Sequence, residues 1–233
     1  MDISKQVAII SGSNRGLGKE LALELLARGA KVYAGARNPE SINLPGAIPL
    51  QLDITDPKSV MAAVEVAKDA TLLINNAGTA TGASLLSGDL EDIHLEFDTH
   101  VFGTLSMIRG FAPVIEKNGG GSILNILSAL SWFSIGDSGA YSAAKSAQWG
   151  ITNALRLELA PKNIKLAGLH VAFMDTDMTA GIQAPKSSPK DIAKIAIDGI
   201  ESKLYEIVAD DTSRNVQQGL AGGVLALYPQ LFQ

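Results

Sequence analysis

Residues 7–18 read Val7-Ala8-Ile9-Ile10-Ser11-Gly12-Ser13-Asn14-Arg15-Gly16-Leu17-Gly18. A short apolar run that ends at glycine has the pattern of a strand buried on both faces. Three glycines follow, and then Leu17, Leu21 and Leu25 recur at four-residue spacing, which places them on one face of a helix. A strand that turns through glycine into a helix presents free N–H groups and a positive dipole end, and the missing side chains let an anion reach the backbone. The stretch therefore predicts a pyrophosphate-binding turn made by Gly12, Ser13, Asn14, Arg15, Gly16, Leu17 and Gly18. Its spacing is Gly-x-x-x-Gly-x-Gly rather than the commoner Gly-x-Gly-x-x-Gly.

Outward from this turn the chain keeps alternating. Apolar runs at 31–34, 48–52, 72–74, 123–127, 165–171 and 205–209 read as further strands. Helical segments separate them: one that Gly29 stops, one opened by Pro57, and others at about 91–117, 141–159 and 191–202, with a kink or break expected near Pro113. Alternation of this kind implies right-handed crossovers and a parallel sheet of about seven strands covered by helices on both faces. The 233 residues suit one α/β domain, 1–233. Its cofactor-binding part is expected over about 1–170 and a substrate loop or lid over about 173–203, with 185–190 as the mobile stretch.

The bulk properties narrow the function. Net charge is −5 with a pI near 5.2, so phosphate backbones and anionic lipids exert no general attraction and nucleic acid is disfavoured. There is no cysteine and there are three scattered histidines, which rules out disulfides and thiolate metal sites; no metal is expected. The N-terminus shows no leader pattern, and no apolar run approaches the roughly 18 residues of a membrane span. A soluble, cytoplasmic protein is the expectation.

Charge also speaks to the dinucleotide. At the end of the second strand, where an acidic residue would bind the ribose 2′-hydroxyl of NAD, stand Ala36 and Arg37. With Arg15 nearby, this predicts a preference for NADP(H) over NAD(H). Asp53, followed by Ile54, is placed to meet the adenine or to cap the next helix. Asn75-Asn76-Ala77-Gly78 ends the fourth strand, where Asn75, Ala77 and Gly78 would border the cofactor.

Downstream, Ser128 is followed thirteen residues later by Tyr141-Ser142-Ala143-Ala144-Lys145. With the glycine turn, Asp53, 75–78 and Asp175-Thr176-Asp177-Met178, these residues resemble the short-chain dehydrogenase/reductase family over nearly the whole length, and the NADP-preferring single-domain carbonyl reductases most. The resemblance implies a doubly wound Rossmann-like sheet, a nicotinamide cofactor touched by Thr176 and Met178, and hydride exchange between NADP(H) and a ketone, aldehyde or secondary alcohol. It also implies a homodimer or homotetramer packed through the long helices. Residue chemistry agrees with it. Tyr141 and Lys145 lie one helical turn apart and share a face. An ammonium at ~4 Å in an effective dielectric of ~20 contributes roughly 4 kcal/mol, enough to draw a phenol down by about three pK units. Tyr141 is then the acid/base, Ser128 the donor to the substrate oxygen, and Lys145 also a ligand of the nicotinamide ribose.

Three departures from the family pattern stand out. His100 occupies the place of an asparagine in the long helix, which adds an imidazole beside the proton path. The loop after the sixth strand, Leu169-His170-Val171-Ala172-Phe173-Met174, lacks Pro-Gly. Leu127 precedes Ser128, and Leu130, Trp132, Phe133 and Phe173 stand where they would line an apolar substrate pocket. The competing reading is a catalytically weak NADP-binding regulator or scaffold whose site His100 has altered.

Overall fold

In the computed structural model, which describes residues 1–232, the chain folds around a seven-stranded sheet. In chain order the elements are β1 (Val7–Ser11), α1 (Gly16–Ala27), β2 (Lys31–Ala36), β3 (Ile48–Gln51), α2 (Pro57–Val66), β4 (Leu72–Asn75), α3 (Leu90–Phe97), α4 (Thr104–Lys117), β5 (Gly121–Ile126), α5 (Gly139–Leu159), β6 (Ile164–His170), α6 (Pro189–Glu201), β7 (Glu206–Val208), α7 (Asp211–Gly219) and α8 (Gly223–Leu227). The strand order is β3-β2-β1-β4-β5-β6-β7 and every pairing is parallel. The order reverses between β1 and β4, so the strand ends there open a crevice.

Alternate residues of each strand feed two separate cores. Ala8, Ile10, Leu72, Ile74, Leu124 and Leu169 pack with α1 and α6 on one face. Ile9, Leu73, Ile123 and Leu166 pack with α2 and α4 on the other. Period-2 side chains buried on both sides explain why the strands read as unbroken apolar runs. Leu17, Leu21 and Leu25 are all buried, as their spacing predicts.

Two expectations fail. The long helical rod does not break at Pro113, which sits inside α4; it is interrupted at Asp98–Gly103, where one π-helical segment joins α3 to α4. A π segment carries an extra residue per turn and re-aims the side chains on it, and it is a feature found often at functional sites. His100 lies within it, buried. The second failure concerns the lid. Ile192, Ala193, Ala196, Ile197 and Ile200 of α6 are core residues packed with α1, so 189–201 is scaffold. The covering segment shrinks to 173–188, closed at its base by a bridge between Met174 and Ser187.

Candidate active site

The glycine turn leaves β1 with Gly12 at φ +70° and Gly16 at φ +54°, backbone that a side chain would strain. Arg15 at the N-cap of α1 supplies no side-chain acceptor, whereas Asp56, Asp89, Ser188 and Asp210 cap α2, α3, α6 and α7. The first-turn amides of α1 thus keep donors without a side-chain cap, at the positive end of a twelve-residue helix. That cradle fits the pyrophosphate of a dinucleotide. Asn76 ties the turn to β4, its Nδ2 donating to the carbonyls of Ser11 and Gly12 at 3.0 and 3.1 Å. Thr176 faces Gly16 across the crevice.

Not every residue of the predicted cofactor set points there. Ser13 is buried with its hydroxyl on the Ile10 carbonyl at 2.8 Å, and the Leu17 side chain is in the core; only their backbones face the turn. Asp53 spends Oδ1 on the amide and hydroxyl of Thr55 at 3.0 and 2.7 Å, while Asp56 caps the following helix. Ile54 is buried in the α2 and α4 core. Met178 is half exposed. Arg37 stands exposed at the end of β2, and Arg15, also exposed, pairs with Asp177 at 3.1 Å.

β5 and α5 bring Ser128, Tyr141 and Lys145 together. Ser128 follows β5, and its Oγ accepts the Leu130 amide at 3.1 Å, which leaves its own hydrogen available for donation. Tyr141 is half-buried in the first turn of α5, and Lys145 lies one turn on. The Lys145 Nζ stands 5.6 Å from the Tyr141 ring centroid and donates to the Ile126 carbonyl at 2.8 Å and to Gln148 Oε1 at 2.9 Å. Behind it runs a buried polar network. Gln148 donates to Thr104 at 2.9 Å, and Asn125 bridges Asn75 and Thr152 at 2.8 Å each.

The electrostatics depart from the simple Coulomb picture. Burial pushes the Tyr141 phenol up, with the Glu96 carboxylate adding to it, and the Ser128 hydroxyl pulls only partly the other way. Burial also draws Lys145 down to about 7. Desolvation dominates both groups, and the ammonium is held by the Ile126 carbonyl and Gln148.

His100 and a residue that carried no sequence signal, Glu96, complete the cluster. Glu96 is fully buried, and its Oε1 accepts the Thr81 amide and hydroxyl at 2.6 and 3.0 Å. Its Oε2 lies 3.3 Å from His100 Nε2, off the hydrogen-bond axis. Burial raises the Glu96 carboxyl, but the His100 and Thr81 contacts outweigh it and hold the group below its ordinary value. Nε2 of His100 meets the Thr79 carbonyl at 2.9 Å and the Thr79 amide at 3.4 Å, and the shorter contact is the one an Nε2–H tautomer makes. Nδ1 is then a bare acceptor, buried and without a partner. The ring meets Tyr141 edge to face at 5.2 Å. Burial first, and Lys145 second, push His100 below its ordinary value, so the ring is neutral. A Cβ at Gly78 would come within 2.8 Å of His100 Cε1, so the glycine that ends 75–78 makes room for this ring.

The predicted pocket wall is rearranged. Leu130 is buried, and Phe173 is partly buried with its carbonyl accepting the Ser187 amide at 2.8 Å. Trp132 stacks on His170 at 3.7 Å between centroids and meets Trp149 edge-on at 6.3 Å, which makes it packing behind Ser128. Phe133 instead approaches Tyr228 at 6.5 Å, whose hydroxyl accepts the Ser134 amide at 2.8 Å. Asp210 secures the loop after β6 by accepting the Ala172 amide at 2.6 Å.

This arrangement of an anion-binding turn beside a serine, a tyrosine and a lysine suits proton transfer at a carbonyl held near a dinucleotide. A family model described as short chain dehydrogenase matches residues 6–187. A crystal structure of a short chain dehydrogenase from Burkholderia cenocepacia J2315 in complex with NADP superposes with a TM-score of 0.95 at 35% identity, covering 100% of both chains. A 3-ketodihydrosphingosine reductase of Bacteroides thetaiotaomicron is 34% identical over 75% of this chain and 66% of its own length. An uncharacterized oxidoreductase of Bacillus subtilis is 33% identical over 71% of this chain. The chain spans 64% of that protein's length. Among the described residues no helix is long and apolar enough to cross a membrane. The chain belongs to the short-chain dehydrogenase family and is an oxidoreductase that takes a nicotinamide dinucleotide.

Proposed function

We propose that this protein is an NADP-preferring carbonyl reductase or alcohol dehydrogenase acting on an apolar ketone, aldehyde or secondary alcohol. The observation that carries the reading is the convergence of Ser128, Tyr141 and Lys145 beside the uncapped N-terminus of α1. Gly12, Gly16 and the α1 amides would hold the pyrophosphate, Thr176 on the facing loop would border the nicotinamide side, and Arg37 would meet the 2′-phosphate. Ala36, buried at the end of β2, leaves no carboxylate there to repel that phosphate. The related structure that binds NADP supports the preference. The bound nicotinamide supplies or accepts the hydride.

The chain's own groups handle the proton. Ser128 donates to the substrate oxygen and orients it. Tyr141 gives its proton to that oxygen during reduction and recovers it during oxidation. Its elevated value favours the protonated phenol, the form that reduction needs. Lys145 binds the nicotinamide ribose and neutralises negative charge developing at the phenol. During oxidation the bare Nδ1 of neutral His100, on the ring that meets Tyr141 edge to face, is the next acceptor for the phenol proton; during reduction the phenol is reprotonated from solvent. Leu127 and Leu130 make the surroundings of Ser128 apolar.

A panel of simple ketones and aldehydes with NADPH and NADH tests the reading. Turnover with NADPH that is lost in Tyr141→Phe is the expected result, and equal use of both cofactors removes the preference. A second reading, a weakly catalytic NADP-binding regulator, draws on the rise of the Tyr141 phenol, the opposite of base activation. It predicts tight NADPH binding with no oxidation by any carbonyl. We further propose a homodimer or homotetramer through the outer faces of the α3–α4 rod and α5, where Phe102 and Leu157 are 60% and 79% exposed. A monomer by light scattering at micromolar concentration rejects it.

A further inference from the structure

A second buried histidine lies behind Ser128 and takes no part in the proposed proton path. His170 ends β6, is fully buried, and has each ring nitrogen facing an acceptor. Nδ1 is 3.2 Å from the Ser128 carbonyl, and Nε2 is 2.8 Å from Glu206 Oε2, off the hydrogen-bond axis. Glu206, at the start of β7, is itself braced: Arg156 donates to its Oε1 at 3.0 Å and Trp149 Nε1 lies 3.4 Å away. Arg156 is fixed in turn by the carbonyls of Leu166 and Tyr205 at 3.2 and 2.6 Å. Gly168, paired in register with Glu206, makes room for Leu127, since a Cβ there would come within 2.8 Å of Leu127 Cδ1. The imidazole face stacks on Trp132, four residues past Ser128, so the ring touches both ends of the 128–132 turn.

We propose that His170, held by Glu206 and Arg156, is a positioning residue for the substrate-binding turn: it fixes the Ser128 carbonyl from one edge and the Trp132 indole from its face. The inference rests on the reading that Ser128 binds the substrate oxygen. A serine hydroxyl that must meet a carbonyl oxygen at hydrogen-bond distance depends on its backbone being held, and misplacement by about 1 Å costs up to ~10²-fold in rate. Leu127 and Ala129 donate their amides to the Leu169 and Val171 carbonyls, which pins the strand on either side of Ser128. The Ser128 carbonyl takes the Ser131 amide at 3.0 Å inside its own turn, and His170 Nδ1, at 3.2 Å, is its contact with β6.

The test uses three variants of the full chain with NADPH and a turned-over ketone. His170→Phe keeps the stack on Trp132 and removes both polar contacts. His170→Asn retains a donor near the position of Nδ1. Glu206→Gln removes the charge that braces the ring. His170→Phe is expected to raise the ketone KM and lower kcat, roughly tenfold in kcat/KM, with the NADPH Kd unchanged. His170→Asn should recover most of the loss, and Glu206→Gln should fall between. Wild-type kinetics in His170→Phe overturn the proposal, as does an Asn variant no better than Phe at equal Tm. Loss of NADPH affinity in parallel with the ketone effect also overturns it, because that marks general unfolding. If the wild-type protein turns over no carbonyl, or Ser128→Ala keeps full activity, it is the underlying reading that fails.

Discussion

Two histidine–glutamate pairs flank the same few ångströms of this molecule, and their geometry assigns them opposite work. His100 has one nitrogen held by Thr79 and Glu96 and the other bare beside Tyr141. His170 has Nδ1 on the Ser128 carbonyl, Nε2 at 2.8 Å from Glu206 off the hydrogen-bond axis, and its face on Trp132. A ring set between a carbonyl, a carboxylate and an indole is suited to holding its neighbours in place. The protein solvent reinforces the contrast at His100, where burial and the Lys145 ammonium keep the ring neutral. On the proposed reading, the same residue type beside the same type of acid serves as proton acceptor or as clasp according to whether it lies against Tyr141 or against the Ser128 turn.

The comparison assumes that Tyr141 is the reaction centre both pairs serve, so the largest effect tests that. Tyr141→Phe should lower kcat by about 10³-fold or more while NADPH affinity, read by fluorescence titration, holds. Full activity would leave both pairs flanking nothing. Next comes the reactive pair itself. His100→Leu and His100→Asn should each lower kcat by about ten- to a hundredfold with little change in KM, because neither side chain titrates. That kcat signature, set against the KM change expected for His170→Phe, is what separates carrier from clasp. Identical signatures would erase the distinction.

A pH series sharpens it further. Lys145 has a folded value near 7 against 10.5 in an unfolded chain, so the unfolded state binds the extra proton between those limits. Stability of the cofactor-free protein should therefore rise with pH from about 7 to 10, by up to roughly 1.4 kcal/mol per unit from this group. Lys145→Met should flatten that rise in urea melts collected across the range. His100, lowered below 6.5, acts in the same sense further down, so stability falls as pH drops below that point. His100→Asn should lessen this acid limb, and an unchanged limb would mean the ring is charged in the fold. The smallest effect lies away from both pairs and serves as their control. Arg37→Ala should weaken NADPH roughly tenfold and leave NADH and the ketone KM untouched.

Much of the site was readable before folding was considered. The glycine turn, Asn76 and the Ser128, Tyr141 and Lys145 set declared themselves because their spacing is local and each residue type is rare in a bland version of that position. Glu96 and Glu206 stayed silent because a lone glutamate on a helix or strand reads as a solvated surface group, and only tertiary packing showed them buried against histidines. The π segment at Asp98–Gly103 was missed for a related reason. Pro113 is the conspicuous helix breaker, yet it is accommodated in α4, while the real irregularity carries no breaker residue at all. α6 was mistaken for part of a lid because its apolar stripe follows a polar, proline-rich loop, and nothing local says that α1 offers a surface to receive it.

Sequence alone determined the layer order of strand and helix and the chemical identities at the reaction centre, since periodicity and short-range spacing are encoded one segment at a time. Tertiary structure decided the protonation of that centre. How far Tyr141 is raised, how far Lys145 is lowered, and what each histidine meets depend on desolvation and on partners remote in the chain, such as Glu96 for Tyr141 and Lys145 and Ser128 for His170. Charges are set by surroundings, and surroundings exist only once the sheet has brought β5, β6, β7 and the π segment together.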